Sequence, residues 1–160
     1  MKTEMAVPLL DLEAQYRPLR GEILAAITRV CDLEIARTGL TTVEAAAAGF
    51  DAVAVTVETT SKAGYFPGTR PMMVKMLAER STGRVLGAQI VGGDGAAKRI
   101  DTVATALTAG MSVTDLIDLD LAYAPPFSSV WDPVAVAARE ASRALDTGRD
   151  PAPPAPPGRG

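Results

Sequence analysis

Histidine is absent from the 160 residues, and cysteine occurs once, as Cys31. Without histidine the chain lacks the commonest general base, the commonest zinc ligand and the side chain that ordinarily titrates near neutral pH. A single cysteine excludes a disulfide within the chain. Any chemistry therefore depends on carboxylates, tyrosines, Cys31, lysines or a bound cofactor. The candidate lysines are Lys62, Lys75 and Lys98.

An excess of positive charge and long apolar runs are also absent. The net charge is -3 and the pI is near 5.0, which gives no electrostatic attraction for nucleic acid or an anionic membrane. No apolar run approaches the roughly 18 residues that cross a bilayer. The opening MKTEMAVPLLD lacks the basic region and the long apolar region of a secretory signal. We expect a cytoplasmic chain with no nucleic-acid or membrane partner.

Composition divides the chain into three parts. We predict a helical arm over 1–36, a compact domain over 37–145 and a tail over 146–160. In the arm, apolar residues recur at helical spacing from about Pro18 to Cys31, and we interpret Cys31 as an ordinary thiol on the helix face. The tail, DTGRDPAPPAPPGRG, is predicted to be disordered because Pro, Ala and Gly cannot bury a core. Recruitment of a proline-binding module by the tail is the alternative.

Three strands are predicted in the compact domain. The segment DAVAVTVET alternates valine with Ala, Thr or Glu, which is the period of a half-buried strand. The segments PMMVKMLAER and RVLGAQIVGG flank a short polar turn at 81–84 and indicate an antiparallel hairpin. Strands that are grouped, with helices around them, favour an α+β fold with an antiparallel sheet and helices packed on it.

Helix starts in this domain are marked by capping residues. The predicted starts are the capping boxes Thr41 with Glu44 and Ser112 with Asp115, and the N-cap Asp132 before Pro133. Gly49 and Gly110 are predicted stops because glycine adopts the left-handed conformation that ends helices. The segment AAKRIDTVATALTAG carries an apolar stripe that should lie against the sheet, formed by Ile100, Val103, Ala104 and Leu107. The last helix is predicted to run to about Leu145.

The segment GDGAAK, residues 93–98, follows a predicted strand and precedes a predicted helix, where a dinucleotide-binding glycine fingerprint would stand. Lys98 takes the place of the third glycine, and the strand belongs to a hairpin rather than to a βαβ unit. We interpret the segment as a strand-to-helix turn. A lone phosphate contact through Lys98 or the helix N-terminus is the alternative.

Five motifs between residues 39 and 134 stand in a characteristic order. They are GLTTVEA, AGYFPG, VKMLAERSTGRVLGAQIVG, KRIDTVATAL and LAYAPPFSSVWDPV. Together they resemble the C-terminal dimerisation domain of the pyridine nucleotide-disulfide oxidoreductases, and in particular the coenzyme A-disulfide reductase and NADH oxidase branch.

The resemblance implies a homodimer in which this domain closes over the flavin site of the other subunit. It implies FAD and NAD(P)H as cofactors of the complete enzyme, with neither bound by this chain alone. It also matches Tyr65 and Tyr123 to the family's active-site tyrosine pair, whose hydroxyls point toward the redox cysteine and the thiol substrate. From the residues alone, both tyrosines lie beside Gly or Pro in predicted loops, and packing in a core or an interface is the alternative.

The family's Rossmann-type cofactor units and its redox-cysteine motif have no counterpart in this sequence. The segment VPLLDLEAQYRPLRGEILAAITRV resembles the start of the DegT/DnrJ/EryC1/StrS aminotransferases, which implies a foreign origin for the arm. Three hypotheses follow. The chain is a dimerisation module that is not catalytic alone, a subunit that completes the active site of a separate flavoprotein in a split oxidoreductase, or a fusion remnant without function.

Overall fold

The computed structural model describes residues 32–148, together with Arg20 and Glu22. The chain consists of two compact units, residues 1–32 and residues 33–160. In the first unit, Arg20 and Glu22 are helical and exposed. The predicted regular helix of the arm, Cys31 and the proline-rich residues 149–160 lie outside the described residues.

A four-stranded antiparallel sheet forms the centre of the second unit. Its strands are β1 (Glu34–Gly39), β2 (Ala52–Thr60), β3 (Pro71–Glu79) and β4 (Val85–Gly92). The spatial order is β1-β4-β3-β2, so that β1 and β2 are the two edges. The predicted hairpin is the β3–β4 pair, and the predicted α+β fold with an antiparallel sheet is confirmed.

Strand β1 corrects the sequence analysis, which predicts three strands and assigns residues up to about Ala36 to a helical arm. All six residues of β1 pair with β4, from Glu34 opposite Gly92 to Gly39 opposite Gly87. The segment EIARTG lacks the run of β-branched residues that marks β2, and its Ile35 is 71% exposed. The strand exists because β4 offers an unpaired edge, which no local pattern in the sequence reveals.

Four helices complete the described part of the second unit. They are α1 (Thr42–Ala47), α2 (Ala96–Ala109), α3 (Val113–Ile117) and α4 (Pro133–Thr147). Both predicted capping boxes are present, and the Asp132 carboxylate accepts from the Val134 N–H at the start of α4. Gly110 and Gly148 end α2 and α4 in the left-handed conformation. Gly49, with φ 80°, follows the C-cap Ala48 of α1. The three predicted helix starts and the stops at Gly49 and Gly110 are therefore confirmed, while α4 runs to Thr147, two residues beyond the predicted Leu145.

The main core lies between one face of the sheet and helices α2, α3 and α4. The strand residues that fill it alternate along each strand, as the period of a half-buried sheet requires. They include Val53, Val55, Val74, Met76 and Ile90. Helix α2 contributes Ile100, Val103 and Ala106, so that Ala106 rather than the predicted Ala104 is buried there.

The other face of the sheet is covered only in part. Helix α1 packs Ala45 there against Leu77 and Leu86, while Met73 and Val91 remain partly exposed. None of the helices in the described part of the chain has the length and apolar composition needed to cross a bilayer.

Candidate functional site

The loop between β2 and β3 presents Tyr65, whose side chain is 78% exposed. Two hydrogen bonds close the base of this loop. The Ser61 N–H donates to the Arg70 carbonyl at 2.9 Å, and the Arg70 N–H donates to the Ser61 hydroxyl at 3.1 Å. Within the loop, the Thr69 hydroxyl donates to the Phe66 carbonyl at 2.6 Å. These bonds fix the backbone that carries the tyrosine.

The segment between α3 and α4 presents Tyr123, which is half exposed. A tight turn follows it, in which the N–H groups of Phe127 and Ser128 donate to the Ala124 carbonyl at 2.8 and 2.9 Å. Ser128 is buried at this turn, and Phe127 is exposed. The segment therefore has a defined backbone although it has no regular secondary structure.

The fold brings Tyr65 and Tyr123 together. A side-chain hydrogen bond between them is the largest cause that raises the pKa of Tyr123 above its ordinary value of 10.0, and desolvation and the charge of Tyr65 add to it. A hydrogen bond that raises the pKa of a phenol is one that favours its neutral form. At neutral pH the Tyr123 phenol is protonated, as a phenol with the ordinary pKa of 10.0 already is, and it is available as a hydrogen-bond donor.

Arg99, which the sequence analysis did not single out, contacts both tyrosine-bearing loops. Its Nη2 donates to the Ser61 carbonyl at 2.7 Å and to the Phe127 carbonyl at 3.0 Å. Its Nε donates to Asp132 Oδ2 at 3.0 Å. The signal available in the sequence was an arginine inside an otherwise apolar helical stripe, beside Ile100.

A small cleft of about 280 Å³ lies between the two loops and the start of α2. Lys62, Asp94, Arg99 and Phe127 are among its lining residues. Because charged groups line it and it lies beside the tyrosine-bearing loops, this cleft is a candidate site for polar chemistry.

A larger groove, of about 460 Å³, lies at the partly covered face of the sheet. Its walls include Leu33, Pro71, Met73 and Val91, and Glu58 is its titratable residue. Both tyrosines lie outside it. The groove offers apolar contact area rather than an arrangement of reacting groups.

The GDGAAK segment is the strand-to-helix turn that the sequence predicts, because β4 ends at Gly92 and α2 begins at Ala96. A Cβ atom at Gly93 would lie 2.8 Å from carbons of the Arg70 side chain. Gly95 has φ +83°, and a Cβ atom there would lie 2.9 Å from Arg99 Nη1. These glycines leave room for two arginine side chains of the chain itself rather than for a dinucleotide phosphate.

The N-terminus of α2 already has an anionic partner. Glu34 of β1 accepts from the Ala97 N–H at 2.7 Å and from the Gly95 N–H at 3.3 Å. Lys98 donates to Asp101 at 2.6 Å, and this hydrogen bond raises the pKa of Lys98. The turn therefore does not fit a dinucleotide, and the alternative of a phosphate contact there has no support from its geometry.

The remaining sequence candidates are dispersed. Lys62 lies at the cleft with its Nζ 5.8 Å from the Phe66 ring, and Lys75 lies on β3 opposite Gln89. Within residues 32–148, no three acidic or cysteine side chains come together as metal ligands would.

Known proteins resemble this chain over most of its described length. The model of the pyridine nucleotide-disulphide oxidoreductase dimerisation domain matches residues 25–135. The NAD(P)H coenzyme A polysulfide/persulfide reductase of Pyrococcus horikoshii is 43% identical over 119 residues, which are 74% of this chain and 26% of that protein. The chain thus spans about a quarter of the length of this relative and of the NAD(P)H sulfur oxidoreductase of Pyrococcus furiosus.

Two solved structures share the fold with a TM-score of 0.70 and 40% identity. One is reduced CoADR-RHD of Bacillus anthracis, in which the match covers 72% of this chain and 21% of that one. The other is the NAD-dependent persulfide reductase of A. fulgidus, with 72% and 22% covered. The match of the family model to residues 25–135, more than half of the chain, shows that this chain belongs to the pyridine nucleotide-disulphide oxidoreductase dimerisation domain family.

Proposed function

We propose that this chain is the dimerisation module of a flavin-dependent NAD(P)H disulfide oxidoreductase of the coenzyme A-disulfide type, and that it is not catalytic alone. The observation that carries the proposal is the pair of Tyr65 and Tyr123, whose side chains meet between two loops and are both open to solvent. A tyrosine pair presented outward is suited to acting on a group that lies in another subunit. The names of the relatives, which refer to coenzyme A and to persulfide reduction, agree with this assignment.

The chemical role of the pair is hydrogen-bond donation. The Tyr123 phenol is protonated at neutral pH, so that its hydroxyl is able to donate to a sulfur atom on which negative charge develops. In a complete enzyme of this kind, NAD(P)H would supply the reducing electrons and FAD would pass them on to the sulfur substrate. The tyrosines of this chain orient the thiol substrate and stabilise its charge.

The partner that we propose is a second copy of the chain, which contacts the surface beside Tyr123. Three large apolar side chains are exposed there in one short stretch, namely Phe127, Val130 and Trp131. Such a concentration of apolar area is typical of protein interfaces. The Arg139 guanidinium lies 3.3 Å from the centre of the Trp131 ring, and this cation–π contact fixes the indole in place.

Sedimentation equilibrium at micromolar concentration tests the homodimer. We expect twice the monomer mass of 16.6 kDa for the wild-type chain. Phe127→Asp should give the monomer mass, because a charge in a closely packed interface is costly. Val43→Asp is the matched control, since Val43 is about as exposed as Phe127 but lies on helix α1, and it should leave the dimer intact. A wild-type chain that sediments only as a monomer would refute the homodimer.

A second candidate is a subunit of a split oxidoreductase that completes the active site of a separate flavoprotein. It is favoured by the exposure of Tyr65 and Tyr123, which leaves both hydroxyls accessible to such a partner. In a reconstituted complex, Tyr123→Phe should lower kcat by about 10- to 150-fold, which corresponds to the loss of one hydrogen bond to a charged group, worth about 1.5–3 kcal/mol. Tyr16→Phe is the control, and equal kcat values for the two variants would contradict a catalytic role of Tyr123.

FAD binding and NADH oxidation by the purified chain test whether the chain is catalytic alone. Stoichiometric binding of FAD together with oxidation of NADH by the purified chain would contradict a module that needs other domains. Failure to associate with itself or with any flavoprotein would favour the third hypothesis, a fusion remnant. A cytoplasmic location and a foreign origin of the arm stay predictions from the sequence.

A further inference from the structure

We infer that Arg99 is a positioning residue that holds the Tyr65 loop and the Tyr123 loop at one fixed separation. The proposed function gives the tyrosine pair its role, and the inference rests on the proposed function for that role. The placement itself stands on the contacts of a single guanidinium.

Each loop is tied to Arg99 at a point where its own backbone is already fixed. In the Tyr65 loop, the contact is the Ser61 carbonyl, at the base that the Ser61–Arg70 hydrogen bonds close. In the Tyr123 loop, it is the Phe127 carbonyl, in the turn that folds back onto Ala124. Because one nitrogen, Nη2, donates to both carbonyls, a movement of the guanidinium would change the position of both loops together.

Asp132 fixes the guanidinium in turn. Its Oδ2 accepts from Arg99 Nε at 3.0 Å, while its Oδ1 accepts from the Val134 N–H at the start of α4. The side chains of Arg99 and Asp132 are 12% and 13% exposed, so that water competes little with this ion pair. The Asp132 carboxylate thus holds the Arg99 guanidinium at the first turn of helix α4.

The geometry requires arginine rather than lysine. The planar guanidinium presents its donors in fixed directions, and here Nε, Nη1 and Nη2 donate to Asp132, to the Gly95 carbonyl and to the two loops. A lysine has one nitrogen and cannot span these acceptors. Gly95 leaves the space that Nη1 occupies, since a Cβ atom there would lie 2.9 Å from it.

The test is an alkaline absorbance titration of the full chain in a Tyr16→Phe background, in which Tyr65 and Tyr123 are the two tyrosines that remain. With Arg99 present, the pKa of Tyr123 should lie above its ordinary value of 10.0, because the Tyr65 side chain lies beside the Tyr123 phenol. A titration in which both phenols ionise near 10.0 with Arg99 present would overturn the inference. In Arg99→Gln and Arg99→Lys, the loops separate and that shift should be lost, with an unchanged far-ultraviolet circular dichroism spectrum. Lys98→Gln is the control, because Lys98 is exposed on the same helix and forms an ion pair with Asp101, and it should keep the shift.

Retention of the raised pKa in folded Arg99→Lys would overturn the inference. If Arg99→Gln does not fold, the same titration of Arg99→Lys and Asp132→Asn tests the inference, and both should lose the raised pKa. Asparagine at position 132 preserves the helix cap but removes the charge that anchors Arg99. Loss of the folded spectrum in all three variants would also overturn it, because Arg99 would then serve the stability of the whole fold. The titration needs no flavoprotein, so that its result is independent of whether Tyr123 affects turnover.

Discussion

Replacement of Glu34 by alanine would remove the carboxylate that β1 supplies to the start of helix α2. The N-cap position of α2 is Gly95, which has no side chain to satisfy the free N–H groups there. Glu34 accepts from two of them, at 2.7 Å from Ala97 and 3.3 Å from Gly95. The edge strand and the helix are thereby joined by a charge-assisted contact between residues far apart in the sequence.

The magnitude follows from these two bonds. The 2.7 Å bond is short and charge-assisted, a class worth about 1.5–3 kcal/mol, whereas the 3.3 Å bond is weak. Glu34 is only partly buried, so that water replaces some of the lost bonding in the variant. We therefore expect Glu34→Ala to lower the free energy of unfolding by about 1–2 kcal/mol, within the range of helix-cap deletions. Glu34→Gln keeps an acceptor but loses the interaction with the helix dipole, so that about 0.3–1 kcal/mol should be lost.

Urea denaturation followed by circular dichroism measures these differences. With a slope of about 2 kcal/mol per molar urea, the midpoint of Glu34→Ala should fall by about 0.5–1 M. Glu58 provides the matched control, because it is an exposed glutamate on β2, the other edge strand. Equal midpoints for Glu34→Ala and Glu58→Ala would refute the role assigned to the Glu34 carboxylate.

Two further predictions concern the elements around β1. The pKa of Glu44 is lowered from 4.5 to about 2, chiefly by the hydrogen bond from the Thr41 N–H. The ionised carboxylate of Glu44 therefore stabilises the fold above pH 4.5, and this contribution to stability is lost as the pH falls toward 2. Above pH 4.5, the urea midpoint of Glu44→Gln should therefore be lower than that of the wild type. Near pH 2, the two midpoints should be nearly equal. A difference between the midpoints that does not change with pH would contradict this role of Glu44. Gly87→Ala should lower the free energy of unfolding by about 1–3 kcal/mol or more, because its Cβ atom would lie 2.2 Å from the Leu40 carbonyl oxygen. At Gly64, no atom lies within 4 Å of an added Cβ, so Gly64→Ala should change the free energy of unfolding by less than about 0.5 kcal/mol. Similar transitions for the two variants in calorimetry would contradict the packing argument.

The local elements were predictable because their signals lie within a few residues of each other. Thr41 with Glu44 and Ser112 with Asp115 form hydrogen bonds within one helical turn, so that their spacing alone specifies a helix start. The alternation of valine along β2 and the polar turn before β4 have the same local character. These patterns determined the α+β class, the hairpin and the helix boundaries, and the order of the five motifs indicated the family.

The remaining features depend on contacts between distant segments. Strand β1 forms because β4 has a free edge, and Glu34, which reads as an ordinary charged residue in the sequence, becomes the cap of α2 only after that pairing. The resemblance to the family matched Tyr65 and Tyr123 to one tyrosine pair, but the two side chains meet only because the β2–β3 loop and the segment before α4 come together at the start of α2. The sequence by itself determined which residues form each helix and hairpin, since those bonds are local. The tertiary structure alone decided which side chains meet, since an arginine such as Arg99 acquires its partners only when segments distant in the chain are packed together.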